Sequence, residues 1–226
     1  MSDRLLVAEV FGPTIQGEGR NAGRRATFVR LSGCNLACSW CDTPYTWDWK
    51  GKNGRAYDPA KESTPMTAAD VALRVEGRVT SLLVITGGEP LLQQQGIAAL
   101  LALYKGDVEI ETNGTIAPTL PSHVRYNVSP KLRSSGNVAN LPEATFPVDR
   151  TTYKFVIASM AGDLAEVRAY VARHGIPKQS VYLMPESRNV EEHDARLPDV
   201  AEAAIAGGYN VSPRLHVLIW GNERGR

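Results

Sequence analysis

The stretch Gly33-Cys34-Asn35-Leu36-Ala37-Cys38-Ser39-Trp40-Cys41-Asp42-Thr43 holds all three cysteines of the 226-residue chain, spaced C-x3-C-x2-C. A disulfide framework uses an even number of cysteines spread through the fold, and a catalytic thiol needs only one. Three clustered thiols therefore read as a metal claw rather than as small hydrophobes packed in a core. Thiolates select zinc and iron–sulfur clusters alike, and each centre normally takes four ligands. For zinc the missing ligand would be His123, His174, His193 or His216. For a four-iron cluster, the fourth iron could stay open to a small molecule.

Outward from the claw, residues 26–31 read as a strand, so the cysteines leave a strand's C-terminal end. Open α/β sheets and barrels place their chemistry there. Residues 5–11 form an earlier strand that Gly12-Pro13 breaks, followed by the glycine-rich loop Ile15-Gln16-Gly17-Glu18-Gly19. Residues 82–85 are a continuous apolar run, as expected of a strand buried on both faces. This strand ends in Thr86-Gly87-Gly88-Glu89-Pro90, whose glycines would leave backbone bare for a ligand beside one carboxylate, Glu89.

Further strands are expected at 107–111, 125–128, 153–158, 181–183 and 215–220. Helices are expected from Thr67, whose capping box pairs it with Asp70, and at 96–105, at 163–174 and from 191 onward, where Pro198 should break or restart the turn. Residues 44–66, rich in Pro, Gly, Lys, Asp and Trp, read as an ordered excursion or lid beside the cysteine loop. Strands alternate with helices about six times, which predicts parallel β-α units in a partial or complete barrel rather than a sandwich, within one domain, 1–226.

Charge excludes some functions. With 25 basic and 24 acidic residues the chain has no general attraction to nucleic acid or acidic membranes. No apolar run approaches membrane-spanning length, Met1-Ser2-Asp3-Arg4 carries no signal-peptide pattern, and clustered free thiols point to a reducing cytoplasm.

With the C-x3-C-x2-C claw after an early strand and Gly87-Gly88-Glu89-Pro90 after a later one, the sequence resembles the radical S-adenosylmethionine (SAM) enzymes. That resemblance implies an α/β fold, a partial (β/α)6 TIM-like barrel forming a radical SAM core of reduced size. Cys34, Cys38 and Cys41 would bind a 4Fe-4S cluster whose open iron chelates SAM, with the Gly-Gly-Glu-Pro segment on the methionine amino group.

More specific motifs narrow the resemblance. Ile15-Gln16-Gly17-Glu18-Gly19, the segment from Arg30 to Leu36, Cys41-Asp42-Thr43, Glu111-Thr112-Asn113-Gly114, Ser129-Pro130-Lys131 and the ending Leu215-His216-x3-Trp220-Gly221 are similar to 7-carboxy-7-deazaguanine synthases. Members of that family contract the ring of 6-carboxy-5,6,7,8-tetrahydropterin with loss of ammonia, in queuosine and 7-deazapurine biosynthesis. The resemblance implies a SAM site formed by Trp40, Asp42, Gly88, Glu89, Ser129, Pro130, Lys131, Met184, Pro185, Glu186 and Ser187, with Thr112 and Asn113 near the ribose. Ile15, Gln16, Gly17, Glu18, Arg30, Thr86 and His216 would hold the pterin, Arg30 pairing with its carboxylate. Thr43 would supply a protein oxygen to Mg2+.

It also implies a homodimer, a flavodoxin- or ferredoxin-type electron donor, and a chain end, within 221–226, that can approach the substrate. A glycyl-radical-enzyme activase shares the two main motifs, and a zinc-binding interaction module remains the reading from another class.

Overall fold

The computed structural model describes residues 3–78, 80–137, 141–221 and 223–226. Met1 and Ser2, read as the lead into the first strand, and Asn222 of the tail lie outside them. One nine-stranded sheet runs through the chain. Its strands are β1 (Arg4–Ile15), β2 (Arg25–Leu31), β3 (Thr64–Thr67), β4 (Leu82–Gly87), β5 (Asp107–Thr112), β6 (Arg125–Val128), β7 (Thr151–Ile157), β8 (Val181–Pro185) and β9 (Asn210–Val211). They lie in the order β3-β1-β2-β4-β5-β6-β7-β8-β9, with β3 and β9, each paired on one side, at the two edges, so among the described residues the barrel stays open.

From β2 to β9 every neighbouring pair is parallel. The expectation of uniformly parallel units fails at the start, because β1 runs antiparallel to both β2 and β3. β1 also continues past Gly12-Pro13 instead of breaking. A register shift between Phe11 and Thr14 absorbs the proline, and Gly12, at φ 120, sits where a Cβ would lie 2.9 Å from the Ala26 carbonyl oxygen.

Strand alternation decides what reaches the site. Val29 and Leu31 of β2, Leu83 and Ile85 of β4, and Val108 and Ile110 of β5 join the main core under the helices. Their alternate neighbours point to the concave face, where Ala26, Phe28, Leu82 and Val84 form a small apolar floor. One layer above this floor Arg30 lies in register with Thr86.

The helices are α1 (Pro59–Glu62), α2 (Ala68–Glu76), α3 (Gln94–Leu103), α4 (Met160–His174), α5 (Val190–Gly207) and α6 (Leu215–Trp220). Both bonds of the Thr67/Asp70 capping box open α2. Two expectations are corrected. Pro198 lies inside α5 without ending it: Asn189 caps the helix by accepting from Glu192 N, and the turns on either side carry it across the one missing N–H. Residues 215–220 form helix α6 rather than a closing strand. Leu218 N and Gly221 N donate to the Arg214 and Val217 carbonyls, while the two-residue β9 takes the sheet edge.

Candidate active site

A cavity of about 260 Å³ opens on the concave face, lined by the ends of β1, β2 and β4 to β8, the cysteine loop, α6 and the chain's last residues. All three cysteines, Trp40, Asp42 and Thr43 lie in its wall. Ile15, Gln16, Gly17, Glu18, Arg30, Thr86, Gly88, Thr112, Asn113, Ser129, Lys131, Met184, Pro185, Glu186, Ser187 and His216 join them. Of the residues expected to hold the cluster, SAM, the pterin or Mg2+, only Glu89 and Pro130 are outside this wall; of the four histidines considered as a zinc ligand, His216 alone lines it.

Glu89 is fully buried. Its carboxylate accepts from Leu91 N, Thr112 Oγ1 and Asn113 N at 2.7–2.9 Å, so it braces the strand ends from behind. Burial pushes this carboxyl above its ordinary value despite those donors. The bare backbone of Gly87 and Gly88 has a more local reason than an incoming ligand. A Cβ on Gly87 would stand 2.0 Å from the Leu31 oxygen, and one on Gly88 2.1 Å from the Gly33 oxygen. The two glycines let β4 press against the root of the cysteine loop, where Gly88 N and Glu89 N donate to the Leu31 and Gly33 carbonyls.

The cysteines are free thiols. Each accepts an N–H: Cys34 from Leu36 N at 3.4 Å, Cys38 from Asn137 Nδ2 at 3.1 Å, and Cys41 from Trp47 Nε1 at 3.3 Å, with Thr43 a further partner of Cys41. Burial pushes the Cys34 thiol up to about 11, and burial with the neighbouring Asp42 raises Cys41. Thiolates at these positions therefore call for balancing positive charge, as iron supplies. Among the described residues no three His, Cys, Asp or Glu side chains are gathered as a single ion would require. A multi-iron cluster asks for something different, one thiolate on each of three irons.

On the facing side lies a buried charge network. Glu18 receives hydrogen bonds from Lys154 Nζ on Oε2 and from Arg214 Nε, at 2.9 Å, on Oε1; a second Arg214 nitrogen reaches Asp42. Burial alone would raise the Glu18 carboxyl, yet Lys154 and Arg214 hold it far below its ordinary range. His216 stands over Gly17, where a Cβ would meet its Nδ1 at 2.0 Å, and burial lowers its pKa so that the ring is neutral near pH 7. Gln16 Nε2 spans Glu109 and Glu111 at 3.1 and 3.2 Å, and Thr86 donates to Glu111 at 2.8 Å.

Arg30 is 3.5 Å from Glu9, and its Nε has no hydrogen-bond acceptor. Trp40 Nε1 and Ser187 Oγ are likewise buried without a partner in the wall. Such orphaned groups belong where a ligand satisfies them. Lys131 Nζ bonds Ser129 Oγ at 2.8 Å and lies 5.3 Å from the centre of the Trp40 ring. The Thr43 hydroxyl makes no capping bond to the short helix it precedes and has Cys41 Sγ 3.8 Å away.

Before the tail, three charged wall residues have no role in the sequence reading. Lys154 had a signal, a cation inside the apolar run Tyr153-Lys154-Phe155-Val156; Glu111 was visible only as part of its motif. Arg214 had none, and Arg224 lies in the tail 221–226 that was expected to approach the substrate. Arg224 pairs with Glu9 and, at 2.8 Å, with Glu62, and its guanidinium lies 3.9 Å from the Tyr45 ring centre. That clasp holds Glu223 to Arg226 against the cavity.

Residues 28–139, from the strand before the claw to beyond Ser129-Pro130-Lys131, match the model of the Radical SAM superfamily. The open parallel sheet with thiols at one strand end and exposed strand termini around them is that of a radical SAM enzyme, which carries a 4Fe-4S cluster and SAM. The chain is 41% identical to the 7-carboxy-7-deazaguanine synthase of Pyrobaculum aerophilum over 99% of its own length and 98% of that protein. It is 32% identical to the Bacillus subtilis enzyme of the same name over the full length of both. The crystal structure of QueE from Escherichia coli superposes with a TM-score of 0.69 at 25% identity, covering 93% of each chain. The chain belongs to the 7-carboxy-7-deazaguanine synthase family.

Proposed function

We propose that this enzyme converts 6-carboxy-5,6,7,8-tetrahydropterin to 7-carboxy-7-deazaguanine with loss of ammonia, a step toward queuosine and related 7-deazapurines. One observation carries the reading beyond family membership: the cysteine loop and the Gln16, Glu18, Arg30, Thr86 and His216 side chains, far apart in sequence, form the wall of one cavity. When bound, the cluster and SAM supply one-electron cleavage of a sulfur–carbon bond and the carbon radical that takes hydrogen from the pterin.

The chain's own share is binding, orientation and water exclusion. Cys34, Cys38 and Cys41 hold the cluster. Trp40, Asp42, Ser129, Lys131, Met184 to Ser187, Thr112 and Asn113 hold SAM, with Glu89 and Pro130 supporting from behind. Glu18, ionised by its two cations and still carrying free lone pairs, accepts from the donor-rich aminopyrimidinone edge. Arg30, in the cavity wall with its Nε 3.5 Å from Glu9, pairs through its guanidinium with the substrate carboxylate. Neutral His216 and the Gly17 backbone beneath it form one side of the ring slot. Thr43, its hydroxyl not used for capping, gives Mg2+ one neutral oxygen while substrate and water supply the others.

The enzyme acts as a homodimer in a reducing cytoplasm and takes electrons from a flavodoxin- or ferredoxin-type donor. No helix among the described residues is long and apolar enough to cross a membrane. The test is anaerobic reconstitution followed by incubation with the carboxytetrahydropterin, SAM, a reductant and Mg2+, with mass analysis of the product. Cluster-loaded protein that forms no 7-carboxy-7-deazaguanine overturns the substrate assignment.

A further inference from the structure

Two side chains outside the cysteine motif point N–H groups at its sulfurs. Trp47 Nε1 lies 3.3 Å from Cys41 Sγ, and Asn137 Nδ2 lies 3.1 Å from Cys38 Sγ. We propose that Trp47 and Asn137 are positioning residues that set the reduction potential of the cluster, by donating hydrogen bonds to the thiolates of Cys41 and Cys38.

Both donors are fixed by their own surroundings. Asn137 Oδ1 accepts from Ala37 N at 3.0 Å, which orients the amide so that its NH2 faces Cys38, and that NH2 also reaches Ser135 Oγ at 3.0 Å. Ser135 O in turn accepts from Ser39 N at 2.9 Å, so the segment before Asn137 straps the cysteine loop along its length. Trp47 belongs to the excursion of residues 44–66. Its neighbour Thr46 accepts from Gly33 N at 2.7 Å through the carbonyl, and Asp48, 1% exposed, binds the backbone N–H groups of Lys52 and Asn53 at 2.8 and 2.7 Å. Asn53 Nδ2 then donates to Cys38 O at 2.9 Å. The excursion is therefore tied to the start and the middle of the claw, and Trp47 is carried to Cys41 by a built turn.

The electrostatics have a definite sign. An N–H aimed at a cluster sulfur places positive charge beside a ligand that becomes more electron-rich on reduction, so it favours the reduced state. Cys34 receives its donor from the backbone of Leu36 within the motif, and Cys41 also has Thr43 beside it, whereas the bonds from Asn137 to Cys38 and from Trp47 to Cys41 come from side chains that substitution can remove.

The inference rests on the radical SAM assignment but not on the pterin as substrate. The experiment is a potentiometric titration of the reconstituted full chain, followed by electron paramagnetic resonance, with iron and sulfide counted per chain. Trp47→Phe keeps the ring and removes the N–H. Asn137→Asp keeps the oxygen for Ala37 N and puts an acceptor where the donor was. Each loaded variant should have a lower midpoint potential than the parent, and the double variant a lower one still. A potential unchanged or raised in loaded variants overturns the inference while leaving the radical SAM assignment standing. So does loss of the cluster from both variants with their unfolding midpoints preserved, which would make the two residues structural. A parent chain that assembles no cluster at all overturns the assignment itself.

Discussion

Arg214 joins the last helix to the first loop by donating from Nε to Glu18 Oε1 at 2.9 Å while its other end reaches Asp42 beside the cysteines. With Lys154 on the second oxygen of Glu18, two cations and two carboxylates close a neutral network at the cavity floor. Removing one partner of such a set strands the others in low dielectric. Arg214→Met should therefore lower stability by about 3–5 kcal/mol. Chemical denaturation checks it, and a loss below about 1 kcal/mol would mean water solvates the exposed carboxylates.

Gly17 has no positive φ, and the three atoms nearest an added Cβ all belong to the His216 ring, the first at 2.0 Å. Gly17→Ala should push His216 aside and raise KM for the pterin at least tenfold, about 1.4 kcal/mol of binding. In a His216→Ala background the same change should cost little. A penalty that survives in the double mutant would place the clash elsewhere.

Glu109 lies below the site, 2% exposed, accepting from Gln16 at 3.1 Å and Asn21 at 2.6 Å. Burial, and then the adjacent Glu111, push its carboxyl up to about 7 from an ordinary 4.5. The folded state thus binds the proton more tightly than the unfolded chain, and this contribution to stability is full below the unfolded value and lost as pH rises through the folded one. Between pH 4.5 and 7 it should remove about 3 kcal/mol from the parent. Unfolding midpoints for Glu109→Gln should lack that slope; an identical pH profile would assign it to another group.

Thr43→Ala should leave unfolding little changed, because the hydroxyl makes no capping bond and its contact with Cys41 Sγ is long, at 3.8 Å. The Mg2+ concentration needed for half-maximal rate should rise, and Thr43→Ser should restore it, since one neutral oxygen is the whole of the proposed protein share. An unaltered Mg2+ response in the alanine variant removes Thr43 from the metal site.

Local chemistry carries what the sequence determined by itself. Cysteines at C-x3-C-x2-C must meet wherever the loop folds, a capping box forms from residues three apart, and polar clusters ending apolar runs mark the C-terminal rim of a parallel sheet. The claw and the rim followed from those signals, whereas the roles expected of individual wall residues came from the family resemblance.

Tertiary structure decided which face, which partner and which direction. Glu89 and Glu111 both end strands, but Glu89 turns inward to brace Thr112 and Asn113 while Glu111 faces the cavity. Nothing within either motif separates the two. The apolar run 215–220 is as short as a strand or two helical turns, and periodicity cannot choose between them. It became a helix where Leu215 N meets the Gly17 carbonyl, and that placed His216 over the loop and Arg214 on Glu18. Residues 44–58 showed no period because backbone turns and single side-chain bonds to the cysteine loop hold them in place, while Pro59–Glu62 form the one-turn α1 and Thr64–Thr67 join β1 as β3, both too short for a period to show. Long-range partners of that kind exist only once the sheet has brought the segments together.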